Sequence, residues 1–202
     1  MPPEEFTIGQ KPVIDVIRQR RSHRYFTEKP LTLEELSFLL WATQGIRATT
    51  TFDGITYYFR NVPSGGNRHP IETYLNIHRV EGFVPSPYRY LQLEHNLILL
   101  KEGAELSEQV SIASLEQASK YRGKSFFFVR ECAVVFIWIT IPYRSKWRYG
   151  PVPPKLITLA DISVRIFTLL AVLSMSEPVP WALSTGRRWM LFRTEWRQRI
   201  LF

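Results

Sequence analysis

The sequence predicts an α+β or α/β sandwich built around one sheet, and three observations point to it. Helical apolar patterns alternate with a few strand-like runs. One run, AVVFIWIT at residues 133–140, is continuously apolar, as expected of a strand covered on both faces. No internal repeat or low-complexity linker interrupts the chain, and 202 residues suffice for one domain with a full core and barely for two.

Taken in order, Lys11–Arg20 places Val13, Ile14, Val16 and Ile17 at helical spacing, with Pro12 suited to a first turn. A second helix is better marked. Thr32 and Glu35 form a capping box, Leu36, Leu39, Leu40 and Thr43 make one face, and Gly45 is expected to close it in the left-handed cap conformation. Thr50–Tyr58, punctuated by Asp53-Gly54, reads as a hairpin or loop. PSGGNRHP follows as a loop and leads into a β-rich run, Glu72–Val80. Tyr88–Tyr90 reads as a short strand, Glu94–Leu100 as a helical turn and Leu106–Ser119 as an amphipathic helix. The buried strand then lies within Phe126–Ile141.

The bulk properties exclude several classes. Apolar residues make up 45% and charged residues 22%, ordinary values for a globular protein. A single cysteine, Cys132, rules out an internal disulfide framework and favours a reducing compartment. Met1–Gln10 lacks the basic start and apolar core of a signal peptide. The most apolar stretch, ITLADISVRIFTLLAVLSM, is interrupted by Asp161 and Arg165 before it reaches the ~20 residues of a membrane span. A cytoplasmic chain without a membrane partner is therefore expected. The net charge of +8 raises nucleic acid or an anionic surface as partners. Half of it comes from residues 181–202, with five Arg against one Glu and half of the tryptophans. No basic stripe or nucleic-acid motif accompanies it, so no nucleic acid is expected.

Two constellations could carry chemistry. In RQRRSHRYF (18–26), Arg20, Arg21 and Arg24 flank Ser22 just past a helix end. Guanidinium forks and a hydroxyl suit a phosphate, although a solvated basic helix terminus has the same composition. In RNVPSGGNRHPIETY (60–74), Gly65 and Gly66 let backbone approach a flat ligand while Ser64 and Asn67 offer polar contacts. A plain turn is the competing reading. There is no Gly-Lys-Ser/Thr of a P-loop and no strand-linked GxGxxG. Cys132 leads into the buried strand without a paired His and reads as core. His23, His69, His78 and His95 lack metal-ligand spacing, so no metal is expected.

Together, RRSHRYF, ELSFLLWATQGI, VPSGGNRHPIETYL, SPYRYLQLEHNLILL, ECAVVFIWIT and WRYG closely resemble the nitroreductase superfamily of flavoenzymes, in its SagB/ThcOx-type dehydrogenase branch, over about residues 11–159. The resemblance implies an α+β nitroreductase-like fold, a central mixed or antiparallel sheet flanked by helices, incomplete at its C-terminal end. It implies FMN as cofactor. The Arg-x-Ser-x-Arg segment that holds its phosphate and ribityl chain carries to Arg20, Arg21, Ser22 and Arg24. The loop along its ring carries to Pro63, Ser64, Gly65, Gly66 and Asn67. Arg144, Arg148 and Tyr149 match the WRYG-like segment without a catalytic role, and no catalytic acid or base is named. Hydride transfer through flavin N5 is implied, with either a peptide azoline or a small molecule as substrate, NAD(P)H as one possible donor, and a homodimer as the assembly.

After WRYG the family continues with motifs like G-H-I-C-Q-N and G-T-C-A-V-G-A, and neither is present. Codons compatible with Asp161–Arg165 (GAC ATA TCT GTC AGA, then the AT of Ile166), read from each third base, spell H-I-C-Q-N. Codons compatible with Met175–Trp181 and the start of Ala182 spell V-G-T-C-A-V-G at the same offset. The expected organisation is an incomplete FMN-binding domain at 1–159 and an out-of-frame Trp/Arg-rich tail at 160–202. The shift, in the gene or in the sequence read from it, falls near Lys155–Ala160. An inactive truncated member, or a basic protein that binds nucleic acid or an anionic surface, is the alternative function.

Overall fold

The computed structural model describes residues 5–20, 26–101, 105–113, 118–121, 123–150 and 181–183. Its core is a mixed sheet whose central strands are β3 (Ile71–Ile77) and β8 (Val134–Thr140), antiparallel in full register from Ile71–Thr140 to Ile77–Val134. Outward from β3 lie β4 (Ser86–Leu91) and β5 (Asn96–Leu99), both antiparallel to their neighbours. On the far side β9 (Trp181–Leu183) runs parallel to β8, giving the order β5-β4-β3-β8-β9. The fold is α+β, as the sequence predicts.

Both faces of the sheet are covered, which accounts for the unbroken apolar run of β8. Val134 and Phe136 join Leu75, Ile77, Tyr88 and Tyr90 against Leu36, Leu39 and Leu40 of helix α2 (Leu33–Gln44). Val135 points the other way, into a cluster with Val110 of α3 (Glu105–Ala113), Val129 of α4 (Phe128–Glu131) and Cys132. Cys132 is fully buried, as its sequence context suggests. Helix α2 starts at the expected capping box: the Glu35 N–H donates to Thr32 Oγ1 (3.2 Å) and the Thr32 N–H to Glu35 Oε2 (2.8 Å).

Three expectations need correction. Gly45 ends α2 with φ −64° and ψ 151°, extended and not left-handed. Glycine is required there because an added Cβ would lie 2.7 Å from Trp41 Cα. Glu94–Leu100 is not helical: residues 92–95 turn, His95 takes φ +49°, and Asn96–Leu99 pairs with β4. The open edge of β4 offers this segment backbone partners, and Asn96–Leu99 takes them. The α3 helix runs Glu105–Ala113, residues 114–117 lie outside the described set, and Ser119 opens the short hairpin β6 (Ser119–Tyr121) and β7 (Lys124–Phe126). The expected first helix is present as α1 (Val13–Gln19), with Val16 buried and Val13, Ile14 and Ile17 exposed.

The Asp53-Gly54 signal does close a hairpin. Strands β1 (Ile46–Phe52) and β2 (Ile55–Arg60) pair around it, with Asp53 at φ +51° and Gly54 at φ +75°. No helix among the described residues is long and apolar enough to cross a membrane, and no described cluster of His, Cys, Asp or Glu could hold a metal. The tail expectations at 160–180 and 184–202, with Asp161 and Arg165, lie outside the described residues.

Candidate cofactor-binding site

The loop 61–70 joins β2 to β3 and is held at both ends by backbone. At its start the Asn61 N–H donates to Gly45 O (2.9 Å) and Asn61 Nδ2 to Trp41 O (2.7 Å), tying the loop to the end of α2. Val62 is buried. At its end the Ile141 N–H donates to Pro70 O (2.7 Å), fixing the loop to the strand that follows in the sheet.

Between these anchors the chain turns through left-handed conformations. Gly66 has φ +60°, Asn67 +56° and His69 +44°. The first suits glycine, whereas the other two cost non-glycine residues about 1 kcal/mol or more each unless contacts hold them. Such contacts are present. The His69 N–H donates to Ser64 Oγ (2.9 Å), His69 Nε2 lies 2.6 Å from Asn67 Oδ1, and Arg68 Nε donates to Gly66 O (2.6 Å).

A second element closes over the loop. Helix α5 (Tyr143–Tyr149) brings its last turn onto the two glycines. A Cβ on Gly66 would lie 2.7 Å from Tyr149 Oη and 2.8 Å from Arg148 Cδ. A Cβ on Gly65 would sit 3.5 Å from Tyr149 Oη, an ordinary contact. Arg144, near the start of α5, donates to His69 O (3.1 Å) and to Glu72 Oε1.

The surround is cationic. Burial first, then the charge of Arg60, with smaller contributions from Arg144 and Arg68, pushes the His69 imidazole down to about 4. His69 is therefore neutral at physiological pH, in a field that favours anions. His78 and His95 are also lowered by burial and are structural. His78 Nδ1 faces Cys132 O (2.8 Å), and His95 bridges Ser37 Oγ and Tyr90 Oη (2.7 Å each).

Of the sequence-predicted site residues, Pro63, Ser64, Gly65, Gly66 and Asn67 come together as this loop. Arg20 is exposed just past α1, its N–H bonded to Val16 O (2.9 Å), and no hydrogen bond among the described residues joins it to the loop. Arg21, Ser22 and Arg24 lie outside the described residues. Sequence reasoning gave no role to His69, Glu72 or Arg144, nor to the Arg148–Tyr149 pair that covers Gly66. The WRYG match located the pair without showing which loop it touches.

Fold and site together define an α+β sheet domain with a glycine-bearing loop in a cationic surround. The chain belongs to the nitroreductase family, whose model (Nitroreductase family) matches residues 17–169. A protein of Methanocaldococcus jannaschii that is named as a nitroreductase is 35% identical over 103 residues, 51% of this chain and 48% of the relative, so the chain matches about half of that relative's length. Among solved structures, one from Ralstonia eutropha described as a nitroreductase superposes with a TM-score of 0.55 at 22% identity, covering 86% of this chain and 70% of the other. The Escherichia coli microcin synthetase McbBCD complex, with truncated pro-MccB17 bound, superposes with a TM-score of 0.51 at 15% identity, covering 84% and 61%. These two likenesses concern the fold.

Proposed function

We propose that the chain is an FMN-dependent oxidoreductase whose ring site is the 63–67 loop. The observation that carries this reading is the side-chain-free pair Gly65-Gly66, set in a field of guanidiniums beneath Arg148 and Tyr149. The residues present fit the group. The two glycines offer flat backbone to an aromatic ring, Asn67 and Ser64 offer polar groups, and the arginines suit an anion. Arg20, Arg21, Ser22 and Arg24 are the proposed phosphate and ribityl contacts, on sequence grounds.

FMN, when bound, supplies hydride chemistry at N5, reduced by one substrate and re-oxidised by another. The chain's own work is binding and orientation. Gly66 leaves room for Tyr149 and Arg148 of α5 to close on the loop, and Ser64, Asn67 and His69 hold the loop in its left-handed turns. Arg60, Arg68 and Arg144 raise the local positive potential, which favours added negative charge on a ligand held there. A peptide azoline, in the SagB/ThcOx manner, and NAD(P)H are the two candidate electron donors, between which the sequence motifs do not choose, and the proposed assembly is a homodimer.

The C-terminal part enters the same proposal. The two family motifs readable at a constant offset within Asp161–Ala182 support a frame shift near Lys155–Ala160, which leaves a domain at 1–159 and a tail at 160–202, within which Trp181–Leu183 still pairs with β8. DNA sequencing across these codons tests it. The expected result is H-I-C-Q-N and V-G-T-C-A-V-G in the offset frame, and any other offset reading contradicts it.

Activity is tested by purifying the full chain and recording its absorbance before and after denaturation, then during anaerobic addition of NADH, NADPH or an azoline peptide. A flavin spectrum with FMN released on denaturation, and bleaching by one donor, is expected. A chain that remains colourless in excess FMN contradicts the reading.

A further inference from the structure

Glu72 belongs to β3, outside the loop, yet its carboxylate is the far anchor of the loop's hold. It is among the few buried charged groups of the described residues. Its Oε1 receives Arg144 Nη2 and Arg89 Nη2 (3.1 Å), and its Oε2 accepts from the Tyr74 hydroxyl (3.2 Å). Arg144 uses its other terminal nitrogen on His69 O, and the same residue's N–H is bonded to Ser64 Oγ. The His69 peptide, at φ +44°, is thus gripped on both sides. One grip comes from within the loop, and the other is only as rigid as Glu72 makes it. Glu72 itself sits near the start of a central strand, opposite Ile139 of β8, so the carboxylate refers the loop to the sheet.

We propose that Glu72 is a positioning residue of the 63–69 loop, acting through Arg144, and that its charge sets how tightly the loop is preformed for its ligand. In consequence the loop and the last turn of α5, which share Arg144, are aligned to one point of the sheet. An arginine paired to a buried carboxylate keeps its fork oriented, and without that partner it has several rotamers to choose from. The neutral isostere leaves the half-exposed guanidiniums of Arg144 and Arg89 with a weaker acceptor and no carboxylate to orient them. That FMN is the ligand rests on the function proposed above, whereas the hold on the loop does not.

Two measurements on the full chain separate these. In the absence of flavin, trypsin cleavage at Arg68–His69 is followed by mass spectrometry against cleavage after exposed Arg47. Glu72→Gln and Arg144→Gln are each expected to speed the Arg68–His69 cut by about tenfold, the equivalent of one charge-assisted hydrogen bond. The double variant should be no faster than either single one, because both act through one link. Arg89→Gln, which touches the same carboxylate oxygen and not the loop, should cut like the wild type. FMN titration of the same proteins should weaken by about the same factor. Arg144→Lys, which keeps the charge and loses the fork, covers the case in which Glu72→Gln does not fold, and should loosen the loop likewise. Wild-type cleavage in both Glu72→Gln and Arg144→Gln, or additive effects in the double variant, overturns the positioning role. A loosened loop in a chain whose wild type ignores FMN upholds the positioning and overturns the flavin reading.

Discussion

Strand β3 and the loop just before it are neighbours in sequence and opposites in construction. In β3 six of seven residues are buried, the whole strand is paired to β8, and Tyr74–Ile77 is paired to β4 as well. Its apolar positions Ile71, Leu75 and Ile77 would tolerate other apolar residues of the right size, whereas Glu72 has its own polar partners. In the loop, three residues take left-handed φ and only Val62 and Pro70 are buried. Its shape depends on the polar contacts of particular side chains, Ser64, Asn67, His69 and Arg144. The strand carries stability, and the loop carries specificity held in place by polar contacts.

Substitutions should separate the two regions. The largest effect is expected in the sheet. Phe136→Ala empties a fully buried ring position opposite Leu75 and should cost about 3–5 kcal/mol in denaturant unfolding. A loss under about 1 kcal/mol would mean that the core is not packed as described. In the loop, Gly66→Val combines a positive φ with a side chain directed at Tyr149 and Arg148. It should cost only about 1–3 kcal/mol of stability while abolishing ligand binding.

Acid sharpens the contrast further. The His69 folded value of about 4 lies below the ordinary 6.5, so the unfolded chain binds more protons between those values. Stability should therefore fall as pH drops from about 6.5 towards 4, with the full penalty present below 4. His78 and His95, lowered by burial, add to the same slope. His69→Gln should reduce the dependence of Tm on pH across that window without removing it, and an unchanged slope would contradict the burial of this imidazole. The smallest effect belongs to the hairpin. Phe52→Ser, at a residue 73% exposed, should change stability by less than about 0.5 kcal/mol.

The same contrast explains what could be read from the chain. Helix α2 was legible because its capping box and its apolar face coincide, and β8 because its apolar run, buried on both faces over Val134–Phe136, has no polar interruptions. The Asp53-Gly54 hairpin was legible from turn chemistry alone. Glu94–Leu100 misled because a short apolar segment has no period of its own, and the open edge of β4 decides its conformation. Gly45 misled because a glycine can answer a close approach as well as a positive φ, and the sequence does not distinguish them. The loop at 63–67 was legible only as a motif. Its supporting residues were not, since Glu72 and Arg144 are 72 positions apart and their pairing follows from how α5 meets the sheet.

The most direct measurement is a titration of the full chain with FMN, followed by quenching of flavin fluorescence, for the wild type and Gly66→Val in parallel. The account predicts saturable quenching by the wild type and none by the folded variant. Equal quenching by both, or none by a folded wild type, would contradict the assignment of the flavin site to this loop.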